Sequence, residues 1–280
     1  MEYDGTYIFV LHIKDDHPEL YRDHQHRWTL ELNAVQKVPG YAVWCTGGPT
    51  YNGLDTTNVG QRCAYWLKRA GYKPWPPDGR PQEGGSGTLK GTNARLTIRT
   101  LNRLSPTDPP EQRSACTRNA VWVFYGHSGP HDIVFRDLVN HELISNSQQE
   151  DPANGVFNIL NAGFALDHVR LVFLAGCDNA GYPRASSNKE ASIAGSFYNS
   201  KSVDAVVGFR GPVYTDSIPY RRFFEIFWKG VCKDHLTVGE AIRRAKRSMR
   251  PWLLRIFKVT PSYPEVWGEN TRLYPAAYGR

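Results

Sequence analysis

The chain has 280 residues, enough to bury a full core as one large domain, and carries 34 Lys and Arg against 27 Asp and Glu, a formal net charge of +7. No apolar run approaches the roughly 18 residues a membrane span needs, and Met1-Glu2-Tyr3-Asp4 lacks a charged-then-apolar leader pattern. A soluble cytoplasmic protein without membrane contact is therefore expected, and five cysteines without paired spacing (Cys45, Cys63, Cys116, Cys177, Cys232) read as reduced thiols, not a disulfide framework.

Tyr7 to Ile13 is β-branched and aromatic and reads as a strand, followed by a polar stretch, Lys14 to Arg27. His24 and His26 have a spacing that could join a metal site, but no Cys or carboxylate cluster completes it, so they read as surface histidines. Residues 1–40 are thus a strand and a polar extension. Trp28 to Leu32 and Tyr41 to Cys45 read as strands, and a helix fits Val59 to Ala70, with Cys63, Trp66, Leu67 and Ala70 on one face and Gly71 closing it. The Pro- and Gly-rich stretch from Pro74 to Gly87 is expected to be an exposed loop, either a plain excursion or a segment open to proteolytic processing. Thr92 or Asn93 caps an expected helix with Ala94, Ile98, Leu101 and Leu104 as its stripe, ended by Pro106.

Ala120 to Tyr125 is an apolar strand stopping at Gly126-His127-Ser128-Gly129. Asp137-Leu138-Val139 suggests a short helix, Ser145 to Gly155 a polar loop, and Phe157 to Leu166 a local excursion. A second strong strand, Val169 to Ala175, stops at Gly176-Cys177-Asp178-Asn179. Ile193, Ala194, Phe197 and Tyr198 mark a helix, and Val203 to Phe209 the next strand. Tyr220, Phe223, Phe224, Phe227 and Trp228 recur at helical spacing before Gly230, expected to stop that helix. Thr237-Val238-Gly239-Glu240 is a capping box opening a helix whose inner face is Val238, Ala241, Ile242, Ala245 and Met249. Residues 251–280 read as a tail packed on the domain, Thr260 to Arg280 lying over its surface without regular structure. The alternation of helix and apolar strand predicts an α/β domain over residues 41–250 with a mainly parallel sheet.

If the two strong strands are parallel neighbours, His127 and Cys177 meet above one sheet edge, where open α/β folds hold their ligand crevices. A thiol becomes a good nucleophile when an imidazole within reach takes its proton. The backbone N–H groups of Ser128, Gly129 and Cys177 are candidate oxyanion donors. The competing reading makes Cys177 a small core residue and His127 a turn histidine; the ending of both strong strands at Gly-rich turns favours the site.

Tyr125-Gly126-His127-Ser128-Gly129 resembles the aromatic-Gly-His-Gly signature of caspase-like (clan CD) cysteine peptidases, and Leu174-Ala175-Gly176-Cys177-Asp178 their strand-then-Cys signature, with the histidine about 50 residues upstream. Ile193 to Met249 is similar to the ending of the CHAT-domain and separase branch: a helix, an Ala-Val-Val-Gly strand, Val213-Tyr214-Thr215-Asp216, an aromatic helix, and a helix starting Gly239-Glu240-Ala241. The resemblance covers about Tyr41 to Met249. It implies a three-layer α/β/α sandwich, a thiol protease cleaving protein substrates with His127 and Cys177, no metal or organic cofactor, and activation by a protein partner or signal.

The chain departs from that pattern in two places. Ser128 stands where glycine usually follows the histidine, and Ala175 where metacaspase-type members carry the aspartate for a basic P1 side chain. Asp216 is a candidate partner for a P1 Arg or Lys, and Arg210 for a P1 Asp, with the preference given to a basic P1; the two could equally pair with each other or face water. Asp178 either orients His127 or raises the thiol pKa. An inactive peptidase-like interaction module remains an alternative. So does a nucleic-acid-associated protein using the basic face from Arg243 to Arg250, although direct nucleic-acid binding is not expected.

Overall fold

The computed structural model describes residues 41–46, 57–75, 82–84, 88–90, 119–136, 141–160, 169–182, 189–200, 203–215, 217–249, 251–256, 258 and 262–273. The chain divides into two units, 1–36 and 37–280, and all these residues belong to the second. The strands expected at Tyr7 to Ile13 and Trp28 to Leu32, His24 and His26, the helix from Thr92, the short helix at Asp137 to Val139 and Asp216 lie outside the described residues.

The described residues form an α/β fold around a six-stranded sheet. Its strands are β1 (Tyr41–Thr46), β2 (Lys73–Trp75), β5 (Asn119–Tyr125), β9 (Leu171–Ala175), β10 (Ala205–Arg210) and β11 (Tyr263–Trp267), in the order β11-β10-β9-β5-β1-β2. All neighbours are parallel except β10 and β11. From β1 the chain steps outward to β2 and then returns to β5 on the other side, so the strand order reverses between β1 and β5. A crevice opens beyond the carboxyl ends of strands at such a reversal.

The near-continuous apolar runs of the central strands follow from burial on both faces. Val121, Val123, Tyr125, Leu171, Phe173, Ala175, Ala205, Val207 and Phe209 project to one side. There they meet helices α1 (Thr57–Arg69), α3 (Ile218–Cys232) and α4 (Val238–Ser248). The intervening Trp122, Phe124, Val172, Leu174 and Val206 project to the other side, against α2 (Ile193–Ser200) and a three-stranded sheet of β6 (Asp132–Arg136), β7 (His141–Ser145) and β8 (Val156–Asn158). Phe173 is the centre of the first layer, with Phe227 and Trp228 rings 4.7 and 5.1 Å from its own.

Several elements match expectation. α1 buries Val59, Cys63, Trp66, Leu67 and Ala70, and the capping box is present, with Thr237 Oγ1 accepting from Glu240 N–H and Glu240 Oε2 from Thr237 N–H. Others differ. Lys73–Trp75 is a strand and Gln82–Gly84 (β3) pairs with Thr88–Lys90 (β4), where a loop was expected; Pro74 is tolerated because β2 is an edge strand, so its missing N–H breaks no ladder. A hairpin of β6 and β7, neither strand foreseen in the sequence, flanks the stretch expected as a short helix, and its Ile133, Phe135 and Ile144 are buried.

Gly230 does not stop α3, which continues to Cys232. A Cβ there would lie 3.2 Å from that of Ala241, so glycine lets α3 and α4 approach closely. Pro251–Ile256 forms a short helix, α5, and the stretch from Thr260 expected to be irregular instead supplies β11, which completes the main sheet, with Trp267 and Leu273 buried. Among the described residues no helix is long and apolar enough to cross a membrane.

Candidate active site at the ends of β5 and β9

β5 and β9 run side by side without a slip, Val121 opposite Leu171 through to Tyr125 opposite Ala175. Gly126 N–H continues the ladder to Ala175 O at 3.3 Å. His127 and Cys177 each stand two residues beyond these strand ends. Their loops are joined directly, for Ser128 Oγ donates to Cys177 O at 2.8 Å.

The His127 loop is a tight return into β6. His127 O accepts from Val134 N–H at 3.0 Å, and Gly129 N–H donates to Asp132 O at 2.8 Å. The Gly129 N–H, a candidate oxyanion donor from the sequence, is therefore engaged within the turn. The N–H groups of Ser128 and Cys177 have no acceptor among the described residues, so of the three candidate donors these two are unengaged.

On the other loop, Asp178 adopts a left-handed φ of 55°, unusual for a residue with a side chain. It is clasped at both ends by Gly211, whose O accepts from Asp178 N–H at 3.2 Å and whose N–H donates to Asp178 Oδ1 at 2.9 Å. The carboxylate thus faces the loop after β10.

Sequence reasoning passed over Asn179, which is wholly buried and fully satisfied. Its amide donates to Leu174 O, Gly176 O and Ser128 Oγ at 3.0, 2.9 and 3.2 Å, and its Oδ1 accepts from Phe209 N–H at 2.8 Å. One side chain thereby ties the end of β9, the His127 loop and β10 together. The sequence carried no signal for it, since an Asn four residues past β9, in a turn with Gly176 and Asp178, reads as a turn former.

Gly176 is required for the same junction. A Cβ there would come within 2.2 Å of Ser128 Oγ and 2.8 Å of Gly126 O. Ser128, the departure from the glycine pattern, is accommodated because the facing residue has no side chain.

Cys177 is half-buried, and its Sγ accepts from Val213 N–H at 3.4 Å. Burial pushes the thiol pKa up, the Val213 N–H partly offsets this, and the charge of Asp178 adds to the rise. Tyr220 from α3 braces the loop carrying Val213: its hydroxyl donates to Pro212 O at 2.9 Å, accepts from Ser262 N–H at 2.9 Å and lies 2.6 Å from Ser262 Oγ. Burial above all raises the phenol pKa to about 12, so it stays a donor.

The remaining candidates are not gathered into a pocket by the described residues. Ala175 is wholly buried in the α3 layer. Arg210 pairs across the sheet edge with Glu265 of β11, Nε to Oε1 at 3.2 Å, so its charge is compensated. Among the described residues no three His, Cys, Asp or Glu side chains group as metal ligands. No protein-family model matches the chain, and no curated protein matches it in sequence.

Proposed function

We propose that this chain is a cysteine endopeptidase with a caspase-like α/β/α sandwich, cleaving protein substrates with Cys177 as nucleophile and His127 as general base. The observation that carries the reading is the unbroken register of β5 and β9 up to Tyr125 and Ala175, with His127 and Cys177 each two residues beyond these adjacent strand ends.

In the reaction, Sγ attacks the scissile carbonyl carbon as the His127 imidazole takes the thiol proton. The carbonyl oxygen becomes an oxyanion held by the N–H groups of Ser128 and Cys177. Collapse breaks the C–N bond, and the leaving amine takes the proton from the imidazolium. Water, deprotonated by the same imidazole, then hydrolyses the thioester and returns the thiol.

The raised thiol pKa supports a base-assisted attack over a preformed thiolate, and a resting enzyme that waits for a partner or signal to rearrange the Val213 loop. The ion pair of Arg210 with Glu265 argues against an acidic P1 residue and supports the basic preference, with Asp216 as its receiver. A soluble, cytoplasmic location belongs to the same reading.

One observation favours a second reading, an inactive interaction module: Sγ is occupied by a backbone donor and its thiolate is disfavoured. A peptide-library cleavage profile separates the two. The wild type is expected to cut after basic residues, while Cys177→Ala and His127→Ala each lose roughly 10³-fold or more in rate. Equal, negligible cleavage by all three, with iodoacetamide labelling Cys177 no faster than the buried Cys63, would sink the peptidase.

A further inference from the structure

Away from the two strand ends, a groove of about 660 Å³ lies between the outer faces of α1 and α3. Its size is that of a ligand site. Its charged lining is three guanidiniums, Arg62, Arg221 and Arg222, against one carboxylate, Glu225. Arg221 and Arg222 are exposed and have no carboxylate partner among the described residues.

Beside them stand two large apolar side chains open to solvent, Tyr65 at 45 % and Ile218 at 53 % exposure. Tyr65 is held in place, its hydroxyl accepting from Arg69 Nη1 at 3.2 Å and its ring meeting Trp66 edge-on at 5.1 Å. A pre-ordered aromatic costs little entropy when it is covered.

Glu225 decides what kind of acidic partner fits. Its Oε1 accepts from Trp66 Nε1, but its Oε2 is buried without a hydrogen-bond donor, and its nearest cation, Arg62 Nε, is 3.7 Å away. The groove therefore offers Arg221 and Arg222 to anions and Tyr65 and Ile218 to an apolar group, with the Glu225 carboxylate standing between them. A nucleic-acid backbone supplies only the anions and sets a continuous row of phosphates against that carboxylate. A peptide supplies separate acidic side chains and an apolar one.

We propose that the α1–α3 groove is a docking site for an acidic protein segment with an apolar anchor. The proposal goes beyond the peptidase reading and does not rest on it, since binding needs neither His127 nor Cys177.

Fluorescence anisotropy with a short fluorescein-labelled peptide of Glu and Asp around a central Phe-Leu pair tests it. The wild type and Cys177→Ala are expected to bind alike, and Arg221→Glu with Arg222→Glu to weaken binding by roughly tenfold or more. Lys246→Glu with Arg247→Glu, the same charge change at two exposed positions on α4, is expected to leave binding within about twofold. A peptide with Gln and Asn in place of its acids is expected to bind at least roughly tenfold more weakly to the wild type. Melting curves of both double variants matching the wild type show that the loss is local. Equal losses in the two double variants would reduce the effect to diffuse charge and overturn the proposal. Displacement of the peptide by an equal concentration of single-stranded oligonucleotide would overturn it in favour of nucleic acid.

Discussion

Burial disfavours the Cys177 thiolate, Val213 N–H favours it, and the neighbouring Asp178 charge disfavours it again. Asp178 is not there for the thiol: its left-handed backbone and its two hydrogen bonds to Gly211 fasten the β9 turn to the loop after β10. The negative charge beside the thiol is a by-product of that clasp. Asp178→Asn keeps an oxygen for the Gly211 N–H and removes the charge, so the thiol pKa should fall. The rate of Cys177 alkylation by iodoacetamide against pH, read by peptide mass mapping, should then turn upward at lower pH than in the wild type. An unchanged or higher turning point would mean that Asp178 does not act on the thiol.

The junction of β9 with the His127 loop depends on Ser128 and Gly176 together. Gly176→Ala forces a methyl against Ser128 Oγ and Gly126 O, an overpacking that should cost about 1–3 kcal/mol. In a Ser128→Gly background the shorter contact disappears and the one to Gly126 O remains, so the cost of Gly176→Ala should shrink without vanishing. Urea denaturation of the four proteins in a double-mutant cycle should give a coupling of roughly 0.5 kcal/mol or more. Equal costs in both backgrounds would place the whole penalty on the backbone contact. The strand ends themselves were legible because β5, β9 and β10 are buried on both faces and so read as unbroken apolar runs, and α1 and α4 because their faces and caps are local. What holds the ends together was not, because Asn179 finds its partners on β9, in the His127 loop and on β10, and Arg210 finds Glu265 on a strand far along the chain. Edge strands were the other blind spot. β2 carries Pro74 and β11 carries Pro264, and proline in sequence reads as a breaker although an edge accepts it.

Across the molecule, the layer beneath α1, α3 and α4 holds three buried titratable groups, Cys63, Tyr125 and Cys232. Cys63 is buried and its pKa is raised first by burial and then by Cys232, with a smaller opposing effect from its hydrogen bond with Tyr125. Tyr125 is raised by burial and by Cys63 although its hydroxyl accepts from Trp228 Nε1 at 2.7 Å, and Cys232 is raised by burial alone. All three therefore keep their protons in the folded protein at pH values where the unfolded chain loses them. Below the ordinary thiol value near 9.0 both states are protonated and the contribution to stability is fully present. Above it the unfolded state binds fewer protons than the native state, so the free energy of unfolding falls as pH rises, by about 1.4 kcal/mol per pH unit for each fully shifted group. The loss should begin near pH 9 with the thiols and steepen as pH passes the ordinary tyrosine value of 10.0. Urea midpoints measured from about pH 7 to about pH 10.5 should be level at first and then drop. With Cys63→Ala and Cys232→Ala combined, the protein starts less stable because the core loses volume, but its midpoint should decline less steeply above pH 9. A decline as steep as that of the wild type would show that the alkaline loss comes from groups outside this layer.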